Sequence, residues 1–402
     1  MKKNNQEPFL HITRRKEMVW QRRWVIRIIS IVIALLVCAV ITTAATGLNP
    51  VDVYGTMLNG AFGTSRKIWI LLKEVAILLA VSLALAPAFR MKFWNLGGEG
   101  QMLVGALATS ACMIYLENRV PSGLLIVISL IAAVAAGAVW AMIPAYFKAR
   151  SNTNETLFTL MMNYVAIQLV AFFIIIWEVP KGSGKVGIIN QDSQAGWLPV
   201  IGGKDYLLDI LVVILLTVFI YLFMKYSKHG YELTVVGESR NTARYVGIKV
   251  KRVIIRTLFL SGAICGLTGF LLVAGTDHTI TTTLAGGRGF LGVMVAWLAQ
   301  FNAFAMALVS LLLSILTRGA SEISTIYQLN QSFGDILTGI IIFFIIGSEF
   351  FINYQVHFRK KNSGKNSAAP VANSAESGVA DAGSGVDITD PGMNREEVSD
   401  HV

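Results

Sequence analysis

Long apolar runs alternate with short polar breaks along almost the whole chain. A membrane-spanning helix needs about 20 mostly apolar residues. Ten stretches approach or exceed that length: 25–46, 68–88, 98–117, 123–147, 156–178, 207–226, 254–275, 288–302, 303–318 and 333–353. The eighth and ninth are short and nearly continuous, a pattern that fits one long span, a pair, or broken helices. The chain therefore reads as an all-α polytopic membrane protein, with about ten transmembrane helices in one bundle and short or broken helices near 288–318. No internal period marks a solenoid.

The polar pieces divide the chain further. Residues 1–24 form a basic N-terminal segment. The apolar run after it is too long for a signal-peptide core and lacks a small-residue cleavage site, so it is expected to stay as the first span. Residues 25–355 form the transmembrane domain. A long loop at 179–206 carries Gly182, Gly184, Gly196, Gly202, Gly203, Trp197 and Tyr206. Residues 362–402 contain no aromatic residue and are rich in Ser, Ala, Gly, Asp and Val. Such a tail buries too little apolar surface to fold and is expected to be disordered.

Charge orients the spans. With the N-terminus inside, segments 1–27, 89–92, 148–155, 225–256 and 354–402 are inner and hold 25 of the 34 Lys and Arg residues. The outer segments hold 8, and Lys73 lies within a span. This split follows the positive-inside rule and predicts that both termini are cytoplasmic. Composition agrees: 54% of residues are hydrophobic and 14% charged, against about 25% charged in soluble domains. The net charge of +10 does not point to nucleic acid, because the basic residues flank apolar spans.

Several chemistries find no support. Cys38, Cys112 and Cys265 lie inside apolar stretches, which excludes a disulfide framework or a CxxC metal knuckle. The nearest imitation of a phosphate loop, Gly182-Ser183-Gly184-Lys185, is followed by Val186, not the Ser or Thr that would hold magnesium. There is no HExxH and no GxSxG, and the five histidines are scattered over loops and tails. No catalytic, cofactor-binding or metal residue is nominated, and the chain is expected not to be an enzyme.

Five blocks carry information. The first, Phe93 to Gln101, gathers Asn95, Glu99 and Gln101 with Gly97, Gly98 and Gly100 at the start of a span. Polar groups at membrane depth face protein or a water-filled cavity. Glu99 is thus either a hydrogen-bond hub of a re-entrant turn or a group that touches the solute. In the second, Asn163 sits inside an apolar span beside Tyr164. An amide next to an aromatic suits a sugar or a base, and equally an interhelical hydrogen bond. In the third, Ser239 to Tyr245 reads as a short capped helix between Gly237 and Gly247, either displayed to a partner or part of a solvated topogenic loop. The fourth, Ser261-Gly262 with Gly266 and Gly269, is a helix-packing face. The fifth, Gly286-Gly287-Arg288-Gly289, is a glycine-rich entry into a broken helix near the outer face or a cavity. Its Arg288 either meets a polar ligand or serves as a snorkelling, topogenic residue.

In this order the blocks resemble the permease subunits of bacterial ABC importers of the ribose and nucleoside type, over roughly residues 50–355. Asn95-Leu96-Gly97-Gly98-Glu99-Gly100-Gln101 is similar to the N-[IL]-G-x-E-G-Q block of the nucleoside branch, and Leu160-Met161-Met162-Asn163-Tyr164 to its M-L-N-Y segment. The stretch from Gly237 to Ile248 resembles the coupling segment, with Ser239, Thr242 and Arg244 departing from its pattern. Gly287-Arg288-Gly289-Phe290 matches G-R-G-F. The resemblance implies a permease subunit that moves nucleosides across the bacterial cytoplasmic membrane. Ribose or another simple sugar is the alternative solute. Asn95, Glu99, Gln101, Asn163, Tyr164 and Arg288 are then expected on the solute path. Gly237, Glu238, Arg240, Ala243, Arg244, Tyr245 and Gly247, in the coupling loop 225–256, are expected against an ATPase. The partners implied are a cytoplasmic ABC ATPase that uses the ATP, a second permease subunit forming a heterodimer, an extracytoplasmic substrate-binding protein and membrane lipid, with no nucleic acid. A remoter alternative is an ion-coupled secondary transporter, for which Glu74 beside Lys73, and Asp335, would be the coupling carboxylates.

Overall fold

The computed structural model describes residues 10–15 and 18–358. The tail at 362–402, and residues 1–9, 16 and 17 of the basic segment, lie outside them. The chain divides into a unit spanning Ile12–Val356 and a second made of Met1–His11 and His357–Val402. In the second, the described residues belong to two short strands, β1 (Leu10–Arg14) and β2 (Tyr354–Phe358), which form a two-stranded sheet.

The large unit is helical. In chain order it contains α1 (Trp20–Thr46), α2 (Pro50–Phe62), α3 (Ser65–Arg90), α4 (Gly98–Leu116), α5 (Ser122–Ser151), α6 (Glu155–Trp177) and α7 (Leu207–Tyr226). Then follow α8 (Lys228–Glu238), α9 (Arg240–Tyr245), α10 (Val250–Phe270) with a π-helical continuation at Leu271–Asp277, α11 (Arg288–Leu298), α12 (Ala303–Ile326) and α13 (Gln331–Asn353). Among the described residues, eight helices are long and apolar enough to cross a membrane. The remaining two of the ten expected segments are α4 and the short α11. The protein is a multi-pass membrane protein. Leu36, Ile131, Ile175, Leu215 and Phe343 turn apolar surface outward, as the lipid-facing side of a bundle does.

Helix ends pair at two opposite ends of the bundle. At the basic end, Arg27 of α1 meets Glu349 of α13, and Lys148 meets Glu155 at 2.7 Å. Arg90 Nε donates to Thr234 Oγ1 at 3.1 Å, and the rings of Tyr221 and Phe304 lie 5.0 Å apart. At the other end, Lys67 meets Glu322 at 2.8 Å and Trp177 Nε1 donates to the Tyr115 hydroxyl at 3.0 Å. There the 179–206 loop closes over the end of α10, with the Leu198 amide donating to Ala274 O at 2.9 Å. Successive spans therefore alternate in direction, and α1 begins where α13 ends.

Helix α10 packs on α5, α4 and α3. A Cβ at Gly266 would run into the Ala133 carbonyl of α5, and one at Gly105 would lie 2.6 Å from the Gly266 Cα. The fourth sequence block is thus a packing face between three backbones.

Three expectations change. The ninth run does not stop at residue 318: α12 continues to Ile326, because Arg318 and Glu322 interrupt the apolar pattern without interrupting the helix. Glu322 is held by Lys67, and Gly319 lets Met57 of α2 approach. Helix α2 has no counterpart among the ten runs; its 13 residues are capped by Asn49, whose side chain accepts from the Val51 amide, with Pro50 opening the helix. Finally, Gly237 is not a turn. It lies inside α8, and a Cβ there would strike the Arg90 carbonyl. The chain breaks instead at extended Ser239.

Candidate functional site

Two interruptions of helix meet inside the bundle. After α3 the chain reverses at Lys92, which holds a left-handed φ of 57°. It then folds back so that Gly98 rests against Leu85, where a Cβ would lie 3.1 Å from a Leu85 methyl. Asn95 is fully buried and organises the turn. Its Nδ2 donates to Ser261 Oγ at 3.1 Å, and its Oδ1 accepts from the Gly97 amide and from Gln101 Nε2, both at 3.1 Å. From α6, Thr159 Oγ1 accepts from the Leu96 amide at 3.1 Å. Asn163 donates to Leu96 O and accepts from the Gly100 amide, both at 2.8 Å. These bonds satisfy backbone groups that the turn leaves unpaired at membrane depth, where no water replaces them.

The second interruption is the stretch between the π-helix and α11. Ile280, Leu284 and Ala285 are buried, and Gly287 adopts a left-handed φ of 72° before α11 begins. A Cβ at Gly289 would lie 2.7 Å from the Glu99 amide, so only glycine permits this approach. The Gly287 amide donates to Glu99 Oε1 at 3.0 Å. A carboxylate at the N-terminus of α11 suits the positive end of the helix dipole. At the other end of α11, Trp297 stacks on Trp94 at 5.5 Å and meets Phe89 edge-on at 6.2 Å. Helix α11 is therefore a half-span that runs from the Glu99 junction to the basic end.

Arg288 points from this junction toward α3, where its Nη2 pairs with Glu74 Oε2 at 2.8 Å and its Nη1 donates to Leu284 O at 3.1 Å. Lys73 stands 3.6 Å from both Glu74 and Asp277. Next to these groups opens a cavity of about 230 Å³, lined by Glu74, Arg288, Ser314, Thr317, Arg318 and Ser321 among others. A carboxylate and two guanidinium groups, with three hydroxyls, line that space. The sequence reading missed Ser314, Thr317, Arg318 and Ser321 as lining residues. Their spacing along α12 was a signal: they recur on one helical face within an apolar run.

The expected path residues separate. Asn95, Gln101 and Asn163 are buried among protein groups and brace the turn. Gln101 Oε1 has no partner among the described residues. Glu99 links the two interruptions, and Arg288 lines the cavity. Tyr164, the next residue after Asn163, is 59% exposed. At the basic end, α8 and α9 form as a pair. Ser239 Oγ accepts from the Thr242 amide at 3.2 Å as the cap of α9, and Gly247 closes it with a φ of 79°. Ala243 is fully buried, whereas Tyr245 is 92% exposed and Glu238 and Arg244 are exposed beside it. Arg240 is half-buried.

Residues 68–346 match the family described as the permease component of the branched-chain amino acid transport system. The chain is 30% identical over 325 residues to a guanosine ABC transporter permease protein of Bacillus subtilis, covering 80% of this chain and 92% of that one. It is 29% identical over 353 residues to a glucose ABC transporter permease protein of Haloferax volcanii, covering 84% and 91%. A nucleoside ABC transporter permease protein of Lactococcus lactis is 26% identical over 333 residues, covering 81% and 91%.

Proposed function

The chain belongs to the family of permease components of the branched-chain amino acid transport system, and from that premise we propose that it translocates nucleosides inward across the cytoplasmic membrane of a bacterium. The observation that carries this reading is the junction of the two broken helices, where Gly287 and Arg288 of the half-span α11 meet Glu99 and Glu74. Discontinuous helices that meet inside a bundle are a recurrent way to build a solute site in membrane transporters. The adjoining cavity offers hydroxyl and guanidinium donors and a carboxylate acceptor for ribose hydroxyls and base edges. The stacked Trp94 and Trp297, 45% and 48% exposed, offer flat apolar faces to a base at the basic end of α11. Two relatives are named for guanosine and nucleoside transport and one for glucose, so a simple sugar is the second reading.

In this reading both termini are cytoplasmic, as the charge split indicates, and the 179–206 loop meets an extracytoplasmic substrate-binding protein. A second permease subunit completes the pathway as a heterodimer. A cytoplasmic ABC ATPase binds and hydrolyses ATP, and it seats on α9 through Arg240, Arg244 and Tyr245, with Gly237 and Ala243 holding the seat from behind.

The test is uptake of labelled guanosine, uridine and ribose by cells that lack the chain or carry it on a plasmid. Loss and recovery of nucleoside uptake, with ribose uptake unchanged, is the expected result. Loss of ribose uptake alone would replace nucleosides by sugars. Uptake by membrane vesicles on an ion gradient without ATP would remove the ATP-driven reading altogether.

A further inference from the structure

Two cavities adjoin at the basic end, between α8 and the first turns of α10. One, of about 320 Å³, is lined by Lys228, Glu232, Gly247, Lys249, Arg252 and Arg256 among others. Its neighbour, of about 190 Å³, is lined mainly by Phe223, Leu233, Val253 and Leu260. Val253 and Arg256 line both. Among the described residues, none of the four cations of the first cavity has an ion-pair partner. Its single carboxylate, Glu232, lies 3.3 Å from His229.

Four cations share this cavity with one carboxylate, so its lining keeps a net positive charge that an anion seated among them offsets. The apolar neighbour narrows the choice of anion. A free phosphate would leave it empty, and an acidic side chain of a protein partner would reach only the charged chamber. An amphiphile fills both. The chambers also sit where α7 and α10 pass from apolar residues, Phe223 and Leu260, to the basic loop. That is the depth at which basic pockets between helices take lipid headgroups.

We propose that Lys228, Lys249, Arg252 and Arg256 bind the phosphate of an anionic phospholipid, with the start of one acyl chain in the chamber lined by Phe223, Leu233, Val253 and Leu260. The bound lipid clamps α8 to α10 directly beneath α9. It therefore sets how firmly that short helix is held at the surface. This site is separate from the solute path and stands whichever solute is carried.

The experiment uses full-length protein in a neutral detergent, with native mass spectrometry counting retained lipid after exchange against phosphatidylglycerol or phosphatidylcholine. The wild type is expected to retain one phosphatidylglycerol and no phosphatidylcholine. The variant Lys249→Gln/Arg252→Gln/Arg256→Gln is expected to weaken phosphatidylglycerol binding by roughly 100-fold, at about 1 kcal/mol for each cation removed. Arg252→Lys/Arg256→Lys, which keeps the charge, is expected to retain the lipid and so controls for folding. Leu260→Trp, which fills the apolar chamber, is expected to weaken phosphatidylglycerol while leaving inorganic phosphate binding unchanged. Equal retention by the triple variant, or equal retention of phosphatidylcholine by the wild type, would overturn the proposal. Inorganic phosphate that displaces the lipid at equal concentration would overturn it in favour of a free-anion site.

Discussion

The Gly287 amide donates to a Glu99 carboxylate oxygen at 3.0 Å, across 188 residues of sequence. This single bond joins the first turn of α4 to the start of the half-span α11. Each side of the contact is an exposed weakness alone: a helix N-terminus has unpaired amides, and a carboxylate at membrane depth has no water. Brought together, they satisfy each other and hold the two broken helices in register.

Glu99→Gln keeps an oxygen acceptor for the Gly287 amide, whereas Glu99→Ala removes it. The alanine variant is expected to lose about 1 kcal/mol, the usual loss of a helix cap, and to lose uptake as α11 detaches. The glutamine variant is expected to keep its melting temperature in detergent. Uptake by the glutamine variant then separates the two roles of Glu99. Retained uptake means bracing; lost uptake with an unchanged melting temperature means the negative charge itself takes part.

Asn163 serves two backbone groups of the same turn, the Leu96 carbonyl and the Gly100 amide, each at 2.8 Å. Asn163→Leu leaves both buried and unpaired, at about 1–3 kcal/mol for each group. Membrane insertion is expected to persist while uptake falls to background. Asn163→Asp keeps the acceptor for Gly100 but loses the donor to Leu96, so its loss in thermal stability should fall between wild type and leucine. Normal uptake by the leucine variant would remove Asn163 from the site.

Much of this arrangement is legible in the sequence, and what is not has physical reasons. The long apolar runs mark α1, α3, α5, α6, α7, α10 and α13 because lipid selects the same residues on every outward face. The glycine and amide block at 95–101 announces a broken helix, because polar groups have few other uses at that depth. Helix α2 escapes because its 13 residues cannot span a membrane and carry Asp52 and Asn59, although Asn49-Pro50 is a cap signal in plain sight. The pairing of Arg288 with Glu74 escapes because it joins positions 214 residues apart, and neither residue names the other. Gly237 reads as a turn from sequence; only the neighbouring Arg90 carbonyl reveals it as a contact.

Gly266 offers a sharper test of packing. A side chain there meets the Ala133 carbonyl and the backbone at Gly137, neither of which can move without separating α5 from α10. Gly266→Leu is expected to cost more than the 1–3 kcal/mol typical of overpacking, because the obstacle is backbone. Fluorescence-detected size exclusion should show little monodisperse protein. Gly339→Leu is the control: an added Cβ there meets nothing within 4 Å, and the protein should elute normally.

The 179–206 loop carries a pH-sensitive tie. The Glu178 carboxylate accepts from the Gly182 amide at 2.7 Å and the Gly184 amide at 2.8 Å. These two donors, Gly182 first, favour the charged form and lower its pKa below the ordinary carboxylate value. A group whose folded pKa is depressed stabilises above its unfolded pKa and loses that contribution as pH falls through the folded value. Hydrogen exchange at Gly182 and Gly184 should be protected at neutral pH and speed up in acid beyond its intrinsic pH dependence. Glu178→Gln should abolish that extra acid step; a step that survives in the variant would assign it to another group.

In the proposed reading, coupling to the energy source rests on α9. The capped helix is anchored from behind, where Ala243 is buried and the Ile248 amide donates to Ala243 O at 2.9 Å. Gly237 seats α8 directly against the backbone at the end of α3, where a Cβ would strike the Arg90 carbonyl. On the outer side, Arg244 and Tyr245 are exposed and have no side-chain partner among the described residues, and an arginine beside an aromatic is a common anchor for a groove on another protein. Arg244→Asp/Tyr245→Asp changes only this exposed face. It is expected to insert and melt like wild type, yet to co-purify with its ATPase at least about tenfold less well, a loss of about 1.4 kcal/mol or more. Gly247→Pro attacks the same seat from the backbone, because proline cannot adopt the φ of 79°, and should lower uptake in parallel. An aspartate variant that keeps its ATPase and its uptake would show that the partner seats elsewhere on the basic end.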